Sequence, residues 1–305
     1  MADMKIVFLG TSAAIPTEKR CLSSIVVKRG GELLIFDAGE GMQKNFLQSK
    51  LGINKKMKIF ITHLHIDHCL GLIGFFQTMS LLGRTKKIDV YGEPRLREFI
   101  HENFRIINIG LAFEIVIHAI EEGVIASEDD YKISCCNADH SIPAFSFCIT
   151  EHPRPGIFDV EKASKLSIPK GELYRKLQHG EDVLVDGKLI KSNEVVGPKR
   201  KGRKIGISGD TRPSSELKDF FNSCDVLIFE STYNHDYQTK AIETFHSTST
   251  EAALLANESN CSKLILTHFS SRYDDSSILL DEARTIHSNV DIAEDMKTFY
   301  IPYTE

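Results

Sequence analysis

The chain has 305 residues, 42% of them hydrophobic, enough to bury a sizeable core in one large domain or two small ones. No apolar run approaches the roughly 18 residues of a membrane span, and the sequence opens directly on strand-like residues without a signal-peptide pattern. A net charge of −5 does not mark a general nucleic-acid binder, and seven cysteines without a Cys-x-x-Cys pair leave no disulfide framework; a reduced, cytoplasmic protein is the expectation.

In chain order, residues 5–9 predict a first strand and residues 10–20 a loop containing Pro16, Lys19 and Arg20. Residues 22–27 and 33–36 read as a strand pair joined by the turn Arg29-Gly30-Gly31. Asp37 ends this pair before a helical segment at 40–47, where an N-cap is one use for it. Lys58-Ile59-Phe60-Ile61-Thr62 is β-branched and aromatic and reads as a strand ending at His63.

The stretch His63-Leu64-His65-Ile66-Asp67-His68 follows on a turn at that strand's C-terminal end, a preferred place for a site in an α/β protein. His63 and His65, two apart, can point the same way from an extended turn; the adjacent Asp67 and His68 diverge. One pair can serve one metal and the other pair a second. Imidazole and carboxylate without thiolate favour zinc, with manganese or iron as substitutes. The plainer alternative is four unrelated polar residues in a surface turn.

Residues 72–82 then predict a helix, 87–91 a strand and 94–106 a helix. Strands are expected at 113–117 and 131–136, separated by the acidic run 121–130. His140 follows in Asn137-Ala138-Asp139-His140-Ser141; a lone His at a strand end is more often structural than a ligand. Residues 144–150 return as a strand. From Glu151 to about 197 the texture changes to a charged segment punctuated by Pro and Gly, with a helical candidate only at 160–166. Residues 153–204 hold 13 Lys/Arg against 7 Asp/Glu, a net of +6 on a remainder of −11. Such a segment reads as an insertion that can contact phosphate, or as a solvated lysine-rich loop.

Beyond it, residues 204–208 resume the sheet and Asp210 stands at a strand end. A helix at 215–221, a strand at 226–229 ending on Glu230, a helix at 250–257 after His246-Ser247-Thr248, a strand at 263–266 leading to His268, a helix at 275–287 and a strand at 298–301 complete the pattern. By itself it gives α/β.

His-x-His-x-Asp-His after a strand resembles the metallo-β-lactamase superfamily. Phe8-Leu9-Gly10-Thr11-Ser12, Phe36-Asp37-Ala38-Gly39-Glu40, Ser208-Gly209-Asp210-Thr211-Arg212, Glu230-Ser231-Thr232, Phe245-His246-Ser247-Thr248 and Leu266-Thr267-His268 resemble, in order along the chain, ribonuclease Z, the family of tRNA 3′-processing endonucleases. The resemblance implies a single αββα sandwich domain over 1–305 with a flexible arm inserted at about 151–197. It implies two Zn2+ per subunit (Mn2+, Fe2+ or Co2+ as substitutes). His63, His65 and His140 would bind one ion and Asp67, His68 and His268 the other. Asp210 would bridge them and Asp37 would support the site from behind. His246, paired with Glu230, becomes the general acid, and Asp67 a second proton carrier. Lys19, Arg20, Ser247 and Thr248 would hold the end of the acceptor stem, and Lys170, Arg175 and Lys176 of the arm the tRNA body. The first loop, Pro16-Thr17-Glu18-Lys19-Arg20-Cys21, departs from the family's Pro-x-Lys-x-Arg-Asn-type pattern in its shortened Lys–Arg spacing and in Cys21.

The expected reaction is metal-dependent hydrolysis of precursor tRNA after the discriminator nucleotide, leaving a tRNA 3′-hydroxyl and a 5′-phosphate on the trailer, by a homodimer. The alternatives are another hydrolase of the superfamily, such as a phosphodiesterase or arylsulfatase acting on small substrates, and a non-catalytic RNA-binding protein that keeps the fold.

Overall fold

The computed structural model describes residues 3–303. They divide into two compact units. One takes the chain up to Glu128, Lys132–Ile149 and Lys204–Pro302; the other takes Asp129–Tyr131, Thr150–Arg203 and Tyr303.

The larger unit is built on two seven-stranded sheets. The first runs, in spatial order, Thr298–Tyr300, Met4–Gly10, Ser24–Arg29, Glu32–Phe36, Lys56–Phe60, Ile88–Gly92 and Ile115–Ala119. Its last four strands are parallel, and parallel strands covered on both faces read as continuous apolar runs. Period-two alternation then sorts the side chains. Leu33, Ile35, Met57, Ile59 and Ile61 meet the helices Met42–Gln48, Gly71–Leu81 and Arg95–Ile107 in one core with Phe46, Phe75, Phe76 and Leu96. Phe36 and Phe60 point the other way, stack at 5.0 Å, and meet Phe147 of the second sheet at 5.6 and 5.7 Å. That aromatic contact fastens the two sheets face to face.

The second sheet runs Val290–Ile292, Leu264–Thr267, Val226–Glu230, Lys204–Ile207, Phe145–Glu151, Tyr131–Asn137 and Gly123–Ser127. Helix Ser249–Glu258 packs on its strands Val226–Glu230 and Leu264–Thr267, and Ser277–Arg284 packs beside it. Two of these strands, Gly123–Ser127 and Val290–Ile292, are absent from the sequence reading. The first is an edge strand inside the acidic run and the second is three residues long, so neither offers a buried alternating face to detect.

Two glycines bring the first sheet's loops together. A Cβ on Gly71 would lie 2.2 Å from the Gly39 carbonyl oxygen, and one on Gly39 would lie 2.4 Å from that of Asp67. The 37–39 loop can therefore dock on the short helix Ile66–Cys69, with Ala38 N–H donating to His68 O at 2.7 Å. Gly71→Ala is expected to destabilise the protein by about 2 kcal/mol, in the range for overpacking a tight contact. Urea denaturation reads it, and an unchanged midpoint would show that the backbones separate freely.

The smaller unit carries more structure than its sequence suggests. Helices Val160–Lys165 and Glu172–Gln178, the hairpin Val183–Val185 with Lys188–Ile190, and the helical turn Ser192–Val195 surround Ala163, Ile168, Leu177, Val183, Val185, Ile190 and Val195. The elements are too short for any one to show a period. Glu151 and Arg203 form a buried pair at 2.8 Å, and the Tyr303 ring lies between Arg154 and Arg203, 3.5 and 3.9 Å from its centroid.

Candidate metal and acid–base centre

The C-terminal ends of the parallel strands converge on one cluster, as expected for α/β sheets. Asp37 and His63 leave the first sheet; Asp210, Glu230 and His268 leave the second. The short helix Ile66–Cys69 presents Asp67 and His68, so these two sit on a helical turn rather than the plain turn the sequence suggests. Ala14, Asp37, Phe245 and His268, all at this cluster, take left-handed backbone with φ of 54°, 60°, 56° and 60°. Such strain persists only where the surroundings over-determine it.

Hydrogen bonds fix which ring nitrogens face inward. Thr62 Oγ1 donates to Asp37 at 2.9 Å, so it accepts from His63 Nδ1–H at 2.9 Å and leaves His63 Nε2 a lone pair. Asp37 takes His68 Nδ1 at 2.7 Å, leaving Nε2 likewise. From the other sheet, Thr232 donates to Glu230 at 2.7 Å and accepts from His268 Nδ1 at 3.0 Å. The Phe245 carbonyl accepts from His140 Nδ1 at 3.0 Å.

These nitrogens face one another or His65. His63 Nε2 and His140 Nε2 lie 3.0 and 3.2 Å from His65 Nδ1, and His68 Nε2 lies 3.2 Å from His268 Nε2. Lone pairs aimed together at these distances repel unless a proton or a metal cation sits among them. Two donor sets result: His63, His65 and His140; and Asp67, His68, Asp210 and His268. Asp210 lies between them, 3.7 Å from His63 and 3.3 Å from His68 and His268, and its buried Oδ1 has no hydrogen-bond partner among the described residues. An orphaned buried carboxylate oxygen amid imidazole nitrogens fits a divalent metal, and the carboxylate–His and carboxylate–Thr–His links behind it are those that orient metal ligands.

The electrostatics divide the imidazoles: burial disfavours the charged form of His68, yet Asp210 and then Asp37 outweigh it and hold that ring well above the usual imidazole range. Burial, followed by the neighbouring His68, pushes His63 well below the usual imidazole range; burial, followed by His140, lowers His65. Both rings are thereby favoured in the neutral form, the form that can hold a metal. Burial opposes the charge on Asp67, yet hydrogen bonds to His268 and His68 hold its carboxyl far below the usual range. His246 is different. Burial disfavours its charged form, but Glu230 at 3.0 Å and Asp210 at 3.8 Å outweigh that and raise it to about 9. Glu230 also groups with His246 and His268 as a third donor set. Its oxygens are nevertheless filled by Thr211 N–H, Ser247 N–H, the Thr232 hydroxyl and His246, which suits an orienting carboxylate rather than a ligand.

This arrangement can be set beside known proteins. A family model described as "Anti-Pycsar protein Apyc1" matches residues 4–147, the part that holds His63, His65, Asp67, His68 and His140. The Ribonuclease Z of Nitrosopumilus maritimus is 50% identical over 293 residues, covering 96% of this chain and 98% of its own. The chain belongs to the ribonuclease Z family. Among solved structures, human tRNase Z, short form, superposes with a TM-score of 0.72 at 28% identity, covering 98% of this chain and 100% of that one. The metallo-β-lactamase fold protein YhfI from Bacillus subtilis gives 0.69 at 18% identity, covering 98% and 100%, and so supports the fold. The expected metallo-β-lactamase sandwich is the observed one.

Within this ribonuclease Z fold, the ten metal, acid and supporting residues named from sequence (His63, His65, Asp67, His68, His140, Asp210, Glu230, His246, His268 and Asp37) stand together. Asp37 supports His68 and does not cap helix Met42–Gln48, whose N-cap is Gly41. The expected substrate contacts are more dispersed. Lys19 is exposed, whereas Arg20 is committed to Tyr273 O at 2.7 Å and Ser276 Oγ at 2.8 Å. Ser247 and Thr248 are fully buried: the Ser247 hydroxyl donates to Thr211 O at 2.6 Å, and Thr248 caps helix Ser249–Glu258. Lys170, Arg175 and Lys176 belong to the smaller unit, where Arg175 pairs with Glu172 at 2.9 Å. Thr62, Thr232, Arg212 and Glu251 received no role from the sequence, although Thr232 and Arg212 stand in the motifs quoted for the resemblance. Thr62 adjoins His63, and Thr232 lies two residues beyond Glu230.

Proposed function

We propose that the protein is a zinc-dependent endoribonuclease that removes the 3′ trailer of precursor tRNA after the discriminator nucleotide, leaving a tRNA 3′-hydroxyl and a 5′-phosphate on the trailer. The observation that carries this reading is Asp210, grouped with Asp67, His68 and His268 and lying 3.7 Å from His63 of the other donor set, with a Glu230-held His246 beside it. Family membership supports the substrate.

His63, His65 and His140 would hold one Zn2+, Asp67, His68 and His268 the other, with Asp210 common to both. A bound pair of dications supplies charge to the phosphoryl oxygens and acidifies water. The chain's own part is proton handling and aim. His246 Nδ1–H faces Glu230, so Nε2–H is the proton available to the leaving 3′-oxygen. Asp67, whose Oδ2 accepts from Ala14 N–H at 2.8 Å, would take a proton from the attacking water. Lys19 would receive the acceptor-stem end, with Arg20, Ser247 and Thr248 contributing through the loops they hold; Lys170, Arg175 and Lys176 would bind the tRNA body through phosphates. The domain plan proposed is one catalytic sandwich with residues 151–197 inserted as an arm.

The test is 5′-labelled precursor tRNA with a 3′ trailer, incubated with protein of confirmed metal content. One product ending at the discriminator base is expected; no cleavage would overturn the reading. Among the described residues no cysteine is in a disulfide and no helix is long and apolar enough to cross a membrane; both fit the proposed cytoplasmic setting. A homodimer is proposed because helices near the site expose Ile66, Leu70, Leu81 and Leu82. Sedimentation at the monomer mass across micromolar concentrations would dismiss it.

A further inference from the structure

We infer that Arg212, fixed by Glu251, is a positioning residue that sets the aim of His246 by clamping its backbone. The inference rests on the function proposed above.

A ring tethered only at Nδ1 can still swing with its backbone. His246 sits on a short loop after Phe245, whose φ of 56° is unfavourable for a bulky residue. Something must hold that loop. Arg212 Nη1 donates to the His246 carbonyl at 2.5 Å and to Glu251 Oε2 at 2.8 Å, while Nη2 donates to Glu251 Oε1. The two side chains are only 15% and 11% exposed. A planar fork on a carboxylate fixes both distance and direction, which a lysine ammonium cannot do. Glu251 is itself immobile, because it closes a capping box with Thr248.

Arg212 also leaves the chain at an informative place. It is two residues beyond Asp210. Its N–H donates to Asp139 O at 2.9 Å, next to His140. Thr211 between them donates N–H to Glu230 and accepts the Ser247 hydroxyl at 2.6 Å. Segment 210–212 thus touches the shared carboxylate, the strand end before His140, the acid's partner and the acid's own loop. The backbone bridge registers the metal side; the side-chain fork registers the acid.

A purely structural pair would serve only helix Ser249–Glu258. The experiment separates the two roles with two substrates. Precursor tRNA has a poor leaving group that needs a proton, whereas bis(4-nitrophenyl) phosphate releases a stable phenolate that needs none. Arg212→Met is expected to lower kcat on precursor tRNA by about 50-fold with KM within about threefold, and to change nitrophenyl ester hydrolysis and metal content by less than about threefold. Arg212→Lys and Glu251→Gln should fall between. Combined with His246→Ala, Arg212→Met should add no further loss, because both act through one proton. Equal losses on both substrates, losses that multiply with His246→Ala, or indifferent Arg212 variants would each overturn the inference. Wild-type protein that hydrolyses the ester but not the RNA would overturn the proposed function itself, and the inference with it.

Discussion

His246→Ala is expected to slow precursor tRNA cleavage by about 10² to 10⁴-fold, the range for a lost general acid. Metal content should be unchanged, because His246 belongs neither with His63, His65 and His140 nor with Asp67, His68, Asp210 and His268, and in the third group its Nδ1 is taken by Glu230. The pH dependence gives the sign. In the proposed role the active form is the protonated ring, whose pKa is raised to about 9 by Glu230 and Asp210 against the effect of burial. Activity therefore holds at neutral pH and falls as pH rises through the ring's pKa, which bound dications near Asp210 would draw downward. Wild-type kcat should show that alkaline limb and the variant should not. Robust cleavage by His246→Ala, or a limb that survives the substitution, would remove His246 from the proton path.

Asp210→Asn is expected to do more. The substitution keeps the shape and removes the one negative charge that lies within 3.3 to 3.8 Å of His63, His68, His268 and His246. On the proposed reading both ions would lose a common ligand, so metal per chain should fall by at least about half. Hydrolysis of RNA and of the nitrophenyl ester should drop together, by about 10³-fold or more. The joint loss is diagnostic, since losing the acid spares the ester and losing the metals does not. Full metal occupancy in Asp210→Asn would show that the two sets are independent and that Asp210 serves some other purpose. Elemental analysis of the purified variant decides this before any kinetics.

The residues that carry these two predictions were legible in the sequence because chemistry compresses them. His63, His65, Asp67 and His68 lie within six positions, and Asp210, Glu230 and His268 each end an apolar strand. His140 was legible only through family resemblance. What stayed hidden depends on distances between remote residues. Nothing in the spacing of Arg212 and Glu251 shows that they form a fork, or that Thr62 and Thr232 perform the same relay from opposite sheets. Ser247 and Thr248 illustrate the converse: polar residues beside an acid suggest substrate contact, yet their hydroxyls are spent inside the fold. The small core around Ala163, Leu177 and Val195 was invisible because it is gathered from several elements of a turn or two each.

The excursion that forms the smaller unit leaves from strand Phe145–Glu151 and returns on Lys204–Ile207, and these strands are neighbours in the second sheet. At its foot, Glu151 N–H donates to Arg203 O at 2.9 Å, and the two side chains pair. To the sheet, the whole of residues 152–202 counts as one turn between adjacent strands. Loop closure is already met at the foot, and its entropy grows only slowly with length. On loop-closure entropy alone, the excursion can lengthen or shrink while its two flanking strands stay neighbours, and Glu151 with Arg203 marks the point where it begins and ends.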